Sequence, residues 1–190
     1  MATVIPFEER AVAHLRQRLG AAEEANQDLI AFARGHSGAV ASIHCAALAA
    51  MEVEGVDALL HVVTQEWPLI LGIDAVAVTL IVGGHGFTAD GNGVRSVEPA
   101  LLHRSIANVC GVEMRGVERG HPMFGPACDL IRAEALVRIE AEPPFPTGLL
   151  ALGQRAELNL DARHGSELLM FLGRTVATMI RRCVTDPSLN

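Results

Sequence analysis

Near the end of the chain, Gly148-Leu149-Leu150-Ala151-Leu152-Gly153 forms an apolar run bounded by glycines. A run this short and this apolar predicts a buried strand. A polar turn follows, and the segment from about Ser166 to Val184 keeps Leu168, Leu169, Leu172, Val176, Met179, Ile180 and Cys183 on one helical face. A central strand handing over to a helix that covers the same sheet limits the chain to layered α and β architectures. Such an ending points to a binding module rather than an enzyme.

The middle of the chain supplies the rest of the sheet. Ala75–Val82 (AVAVTLIV) is apolar on both faces and rich in β-branched residues, as expected of another central strand. Its exit, Gly83–Gly93, is turn chemistry throughout and predicts a flexible hairpin loop, with Val94–Val97 pairing back as a short strand. Pro99 suits the first turn of a helix through about Val109, with Leu101, Leu102, Ser105, Ile106 and Val109 on one side. Val112–Val117 is expected as a brief strand and Glu118–Cys128 as a loop, marked by Gly120, Pro122, Gly125 and Pro126. Ala133–Ala141 alternates Ala135, Val137, Ile139 and Ala141 against Glu134, Arg138 and Glu140, predicting a half-buried strand. It joins the terminal strand through Glu142–Thr147. The order predicts an α+β fold, an antiparallel sheet flanked by helices.

A long helical segment precedes that sheet. Val12, Leu15, Leu19, Ala22, Asn26, Leu29, Ala33, His36, Val40, Ile43, Ala47 and Ala50 recur at alternating steps of three and four. That is a heptad seam, and Asn26 at a core position is a residue type that fixes register. Leu15, Leu19, Ala22, Asn26, Leu29 and Ala33 are the expected dimerisation contacts of a coiled coil. Two helices packed on their own domain would give the same periodicity. Gly20, Gly35 and Gly38 each cost about 1 kcal/mol relative to alanine, which places a break near Arg34–Gly38. Val56, Leu59, Leu60, Val63 and Trp67 continue at helical spacing until Pro68 closes or kinks the helix. The expected divisions are residues 1–52, 53–185 and a tail at 186–190.

Composition removes several functions. Net charge is −7, and the fifteen basic residues are dispersed, so no nucleic-acid footprint is present. The longest apolar runs are too short to span a membrane, and Met1–Glu9 lacks a signal-peptide pattern, so a cytoplasmic protein is expected. Cys45, Cys110, Cys128 and Cys183 are widely separated, as reduced structural thiols would be. The eight histidines show no metal-ligand spacing, and Gly83–Gly93 lacks the lysine of a phosphate loop. Neither a cofactor nor a metal is expected, and no nucleophile–base pair argues for catalysis.

Several segments carry a family resemblance. They are Ser42-Ile43-His44-Cys45-Ala46-Ala47-Leu48, Val56–Leu60, Gly72-Ile73-Asp74-Ala75-Val76, Leu130–Ile139, Gly148–Gly153 and His164–Leu169. In this layout the chain resembles a GAF domain, the small-molecule-sensing fold of many bacterial regulators. More closely it looks like the bacterial family called domain of unknown function 484. Relatives tend to place an acidic, Arg- and Phe-containing turn after the penultimate strand, whereas this chain has Gln154–Leu160. The resemblance implies a GAF-like sheet and a regulatory or adaptor role, and it brings no catalytic residues.

The expected ligand pocket lies between the sheet, the crossover Leu101–Val109 and the loop Glu118–Cys128. Arg104, Arg115, His121 and Arg138 are its candidate polar groups, with Met123 and Phe124 as an apolar wall. The same arginines could instead pair with Glu113, Glu118 and Glu134. A convergent arginine pair would favour an anionic ligand. Two functions fit. One is a homodimeric sensor of an unidentified small molecule or protein partner that reports through its N-terminal helix by contact. The other is a structural dimer or adaptor whose pocket is filled by its own side chains.

Overall fold

The computed structural model describes residues 37–140, 147–156 and 162–185, together with Arg18, Gly20 and Glu23. The dimerisation residues expected at Leu15, Leu19, Ala22, Asn26, Leu29 and Ala33, and the tail 186–190, lie outside them. One compact unit runs from Ser42 onward.

Helix α1 spans residues 37–52. Ile43, Ala47 and Ala50, the last seam positions, are buried with Ala46 in the core of their own unit. For this stretch the periodicity therefore reports packing within one chain. Helix α2 (Val56–His61) runs through a wider turn at Val62–Glu66 into α3 (Trp67–Leu71). In the wide turn the Trp67 amide donates to the Val62 carbonyl, and Pro68 then falls in the first turn of α3, where its missing N–H is harmless. The fully buried Trp67 indole donates to the Ala46 carbonyl at 2.9 Å and ties α3 to α1.

Six strands follow: β1 (Ala75–Val82), β2 (His85–Asp90), β3 (Gly93–Val97), β4 (Val112–Gly116), β5 (Ala133–Ile139) and β6 (Thr147–Gln154). They form one antiparallel sheet in the order β3-β2-β1-β6-β5-β4. Helix α4 (Pro99–Asn108) joins β3 to β4, and α5 (Ala162–Thr185) ends the described chain. Side-chain alternation gives the sheet two faces. Val76, Val78, Leu80, Val137, Ile139, Leu150 and Leu152 pack with α1, Trp67 and the Leu172–Ile180 stripe of α5. Ala77, Leu136, Leu149 and Ala151 pack on the other side with Leu102 and Ile106 of α4 and with Met123 and Phe124.

Three expectations need correction. Residues 85–90 are a strand, not a flexible loop. Gly83 and Gly84 supply the two positive φ values of a tight hairpin turn, 55° and 82°. Gly86 is glycine because a Cβ there would meet the Val97 carbonyl and lie 2.7 Å from the Leu102 side chain. Second, most of the expected loop Glu118–Cys128 belongs to a 3₁₀ segment, Pro122–Leu130, interrupted at Gly125, whose φ of 57° suits glycine alone. Third, β5 is buried on both faces, because the charge of Glu134 is fully partnered within the protein.

Candidate ligand cavity

On the α4 side of the sheet lies an open cavity of about 470 Å³. Register places Thr88 opposite Arg95, so Thr88, Arg95 and Val97 share the sheet face that forms its floor. Leu101, Arg104 and Ser105, at helical spacing on α4, form one wall with Leu102. His121, Pro122 and Met123 close the other side.

Arg95 organises the floor. Its guanidinium pairs with Asp90, a carboxylate only 2% exposed, and donates to the carbonyls of Met123 at 3.1 Å and Pro122 at 3.3 Å. Asp90 also accepts from the Asn92 amide at 2.8 Å. A Cβ at Gly125 would lie 2.5 Å from Asp90 Oδ2, so the break in the 3₁₀ segment makes room for this clamp. Beside it, the Thr79 and Thr88 hydroxyls share a buried hydrogen bond at 3.3 Å.

His121 is held from two sides. Its backbone N–H donates to Glu134 Oε2 at 2.6 Å, and its Nδ1 accepts from the Met123 amide at 3.3 Å. Burial lowers its pKa; Glu134 opposes that shift and Arg115 reinforces it. A ring whose Nδ1 accepts and whose charge is disfavoured carries its proton on Nε2. Glu134, 1% exposed, is neutralised by Arg115, with Arg115 Nη2 at 2.7 Å and Nε at 2.9 Å.

Of the six residues expected at the pocket, Arg104, His121 and Met123 line this cavity. Arg115 stands behind it, bound to Glu134 and Glu113. Arg138 pairs with Glu140 at 3.2 Å. Phe124 is a core residue, 2% exposed, whose ring packs where Gly153 leaves room. It borders instead a second cavity of about 370 Å³ near Thr64, Asp74 and Asn92. Thr88 was missed because Gly83–Gly93 had been taken for a loop; Arg95 lay in the expected strand Val94–Val97, but without β2 as its partner nothing placed it opposite Thr88 on the cavity face. Within the turn expected to differ from relatives, Arg155 donates its backbone N–H to Asp74 at 2.8 Å, while residues 157–160 lie outside the described chain.

Among the described residues, no group of three His, Cys, Asp or Glu could hold a metal ion, and no helix is long and apolar enough to cross a membrane. All four cysteines are free; Cys45 and Cys110 are exposed, and Cys128 and Cys183 are buried.

No protein-family model matches the chain, and no curated protein matches it. Solved structures do. The free methionine-R-sulfoxide reductase of Neisseria meningitidis, in complex with its substrate, is 14% identical, with 75% of this chain and 88% of that chain covered and a TM-score of 0.56. The GAF domain of an Acinetobacter phosphoenolpyruvate-protein phosphotransferase is 8% identical, with 78% and 96% covered and a TM-score of 0.52. The chromophore-binding domain of a bacteriophytochrome from R. palustris is 10% identical, with 76% and 60% covered and a TM-score of 0.52. At such identities the likeness is one of fold: the sheet and its helices are GAF-like.

Proposed function

We propose that this chain is a regulatory module that binds a small molecule in the cavity between α4 and the sheet, without catalytic activity of its own. The observation that carries the reading is the cavity itself. It is open, and apolar walls surround a few polar groups that converge on it, the general form of a ligand site. Its open volume argues against a pocket filled by its own side chains, and Phe124, expected as part of its wall, is committed to the core. Two structures of the same fold are described as holding or binding a small molecule, a substrate in one and a chromophore in the other, which supports a similar use here.

The finer parts of the reading follow from the sequence. The chain is a diverged member of the family called domain of unknown function 484 and works in the cytoplasm. It forms a homodimer through the seam at Leu15, Leu19, Ala22, Asn26, Leu29 and Ala33, and its N-terminal helix passes the ligand signal to a partner protein by contact. A thermal-shift screen of nucleotides, amino acids, organic acids and other metabolites tests the central claim, with Ser105→Trp as a cavity-filling control. At least one compound should raise the melting temperature of the parent protein and leave the control unmoved. A screen in which no compound separates the two proteins refutes ligand binding at this site.

A further inference from the structure

We infer that this cavity takes a small monocarboxylate with an apolar body and one further oxygen acceptor, the carboxylate bound by Arg104 and the acceptor by His121 Nε2. The inference rests on the ligand-binding reading above and names the chemistry of the ligand.

A count of charges leads to it. Two arginines line the cavity, and one is already neutralised. Arg95 matches the buried Asp90, and its terminal nitrogens are engaged by that carboxylate and by the carbonyls of Pro122 and Met123. Arg104 is exposed and makes no hydrogen bond or ion pair among the described residues. His121 adds a donor without adding a charge, since its Nδ1 is occupied by the Met123 amide. The cavity therefore offers one uncompensated positive charge and one neutral N–H. A carboxylate matches that charge, and a guanidinium matches its geometry. A phosphate ester carries about −1.5 to −2 near neutral pH. Its surplus charge would sit beside Asp90, which Arg95 only just balances.

The same inventory disfavours an ammonium group. A ligand amine needs an anionic or carbonyl acceptor, and those on the cavity floor are taken. Asp90 is held by Arg95 and Asn92, and the Pro122 and Met123 carbonyls by Arg95. Free amino acids are thereby disfavoured relative to oxo or hydroxy acids of the same skeleton. Val97, Leu101, Leu102 and Met123 cover the rest of the ligand with apolar surface.

Isothermal titration of the full chain near neutral pH with four probes of shared skeleton tests this. They are α-ketoisocaproate, its methyl ester, leucine and isoamyl phosphate. The keto acid should bind, with each of the other three weaker by roughly tenfold or more, the loss expected for one missing charge-assisted interaction. Arg104→Gln should weaken the keto acid by a similar factor without moving the thermal midpoint, because Arg104 is exposed and makes no hydrogen bond or ion pair among the described residues. An ester, leucine or phosphate that binds as tightly as the acid overturns the inference, and so does an Arg104→Gln variant of unchanged affinity. Silence from all four probes overturns it too. The wider thermal-shift screen then shows separately whether the cavity binds any small molecule.

Discussion

Replacing Arg95 by Met removes the cation from the Asp90 clamp while keeping an apolar stem of similar length. Asp90 is 2% exposed and, among the described residues, would retain only the Asn92 amide at 2.8 Å. Breaking a fully buried ion pair costs about 3–5 kcal/mol. Because the Arg95 side chain is 39% exposed, water can reach the vacated space and lower that figure to about 2–3 kcal/mol. Loss of the two donations to the Pro122 and Met123 carbonyls, both on the long side, adds about 1 kcal/mol. The total is about 3–4 kcal/mol. For a chain of this length each kcal/mol moves the midpoint by roughly 2–4 °C, so a fall of roughly 6–16 °C is expected. Urea unfolding followed by the fluorescence of Trp67, the only tryptophan, measures it directly. The double variant Asp90→Asn/Arg95→Met has no charge to strand and should recover about half of the loss. A single variant that costs less than about 1 kcal/mol, or a double variant no more stable than Arg95→Met, would show that the pair does not hold the cavity floor.

Three further outcomes are expected. Glu134→Ala strands the His121 amide and Arg115 together and should cost about 2–4 kcal/mol by the same urea assay; a loss under about 1 kcal/mol contradicts the buried network. Burial lowers the His121 pKa from its ordinary value of 6.5, so the unfolded chain takes up the proton first. Its share of the stability is full above about pH 6.5 and is lost as pH falls toward the lowered value; His121→Gln should flatten that part of the stability curve, and an unchanged slope refutes the assignment. Gly148→Ala drives a Cβ into the Thr79 carbonyl and to 3.0 Å from Leu80 Cδ2, in the middle of the sheet. It should cost about 3 kcal/mol or more, and a variant as stable as the parent would mean that β1 and β6 do not pair in this register.

Elements whose signal lies within one short stretch were legible in advance. Ala75–Val82 was expected over the residues that form β1, and Leu172, Val176, Met179, Ile180 and Cys183 lie on the buried face of α5 as their spacing required. Features that depend on a distant neighbour were not. Gly86 belongs to a strand because the Val97 carbonyl and Leu102 crowd it, yet by composition it resembles a turn. A pairing of Glu134 with an arginine was an open alternative, but its burial and its bond from the His121 amide emerge only when those segments are brought together. The site shows the same split. His121 and Met123 were visible through the proline and glycine pattern around them. Arg95 acquires its place only once β2 is recognised and Asp90 lies beside it. The seam shows a different limit, because Ile43, Ala47 and Ala50 have the same spacing whether they face another chain or their own core.

The strand order β3-β2-β1-β6-β5-β4 also governs when this fold can exist during synthesis. Thr79 in β1 pairs on one side with Thr88, close by in the chain, and on the other with Leu149, far downstream. The β1–β2–β3 meander can form as soon as it clears the ribosome, but one edge of its most apolar strand stays open until β6 has been made. At about 5–20 residues per second that wait lasts several seconds, with the backbone of Val76, Val78 and Leu80 unpaired along that edge. A chain stopped within the 3₁₀ segment would hold every group of the ligand cavity floor and still lack the centre of the sheet beneath it. Stalled or truncated products should therefore be caught by chaperones or aggregate through the open edge of β1 rather than persist as folded fragments.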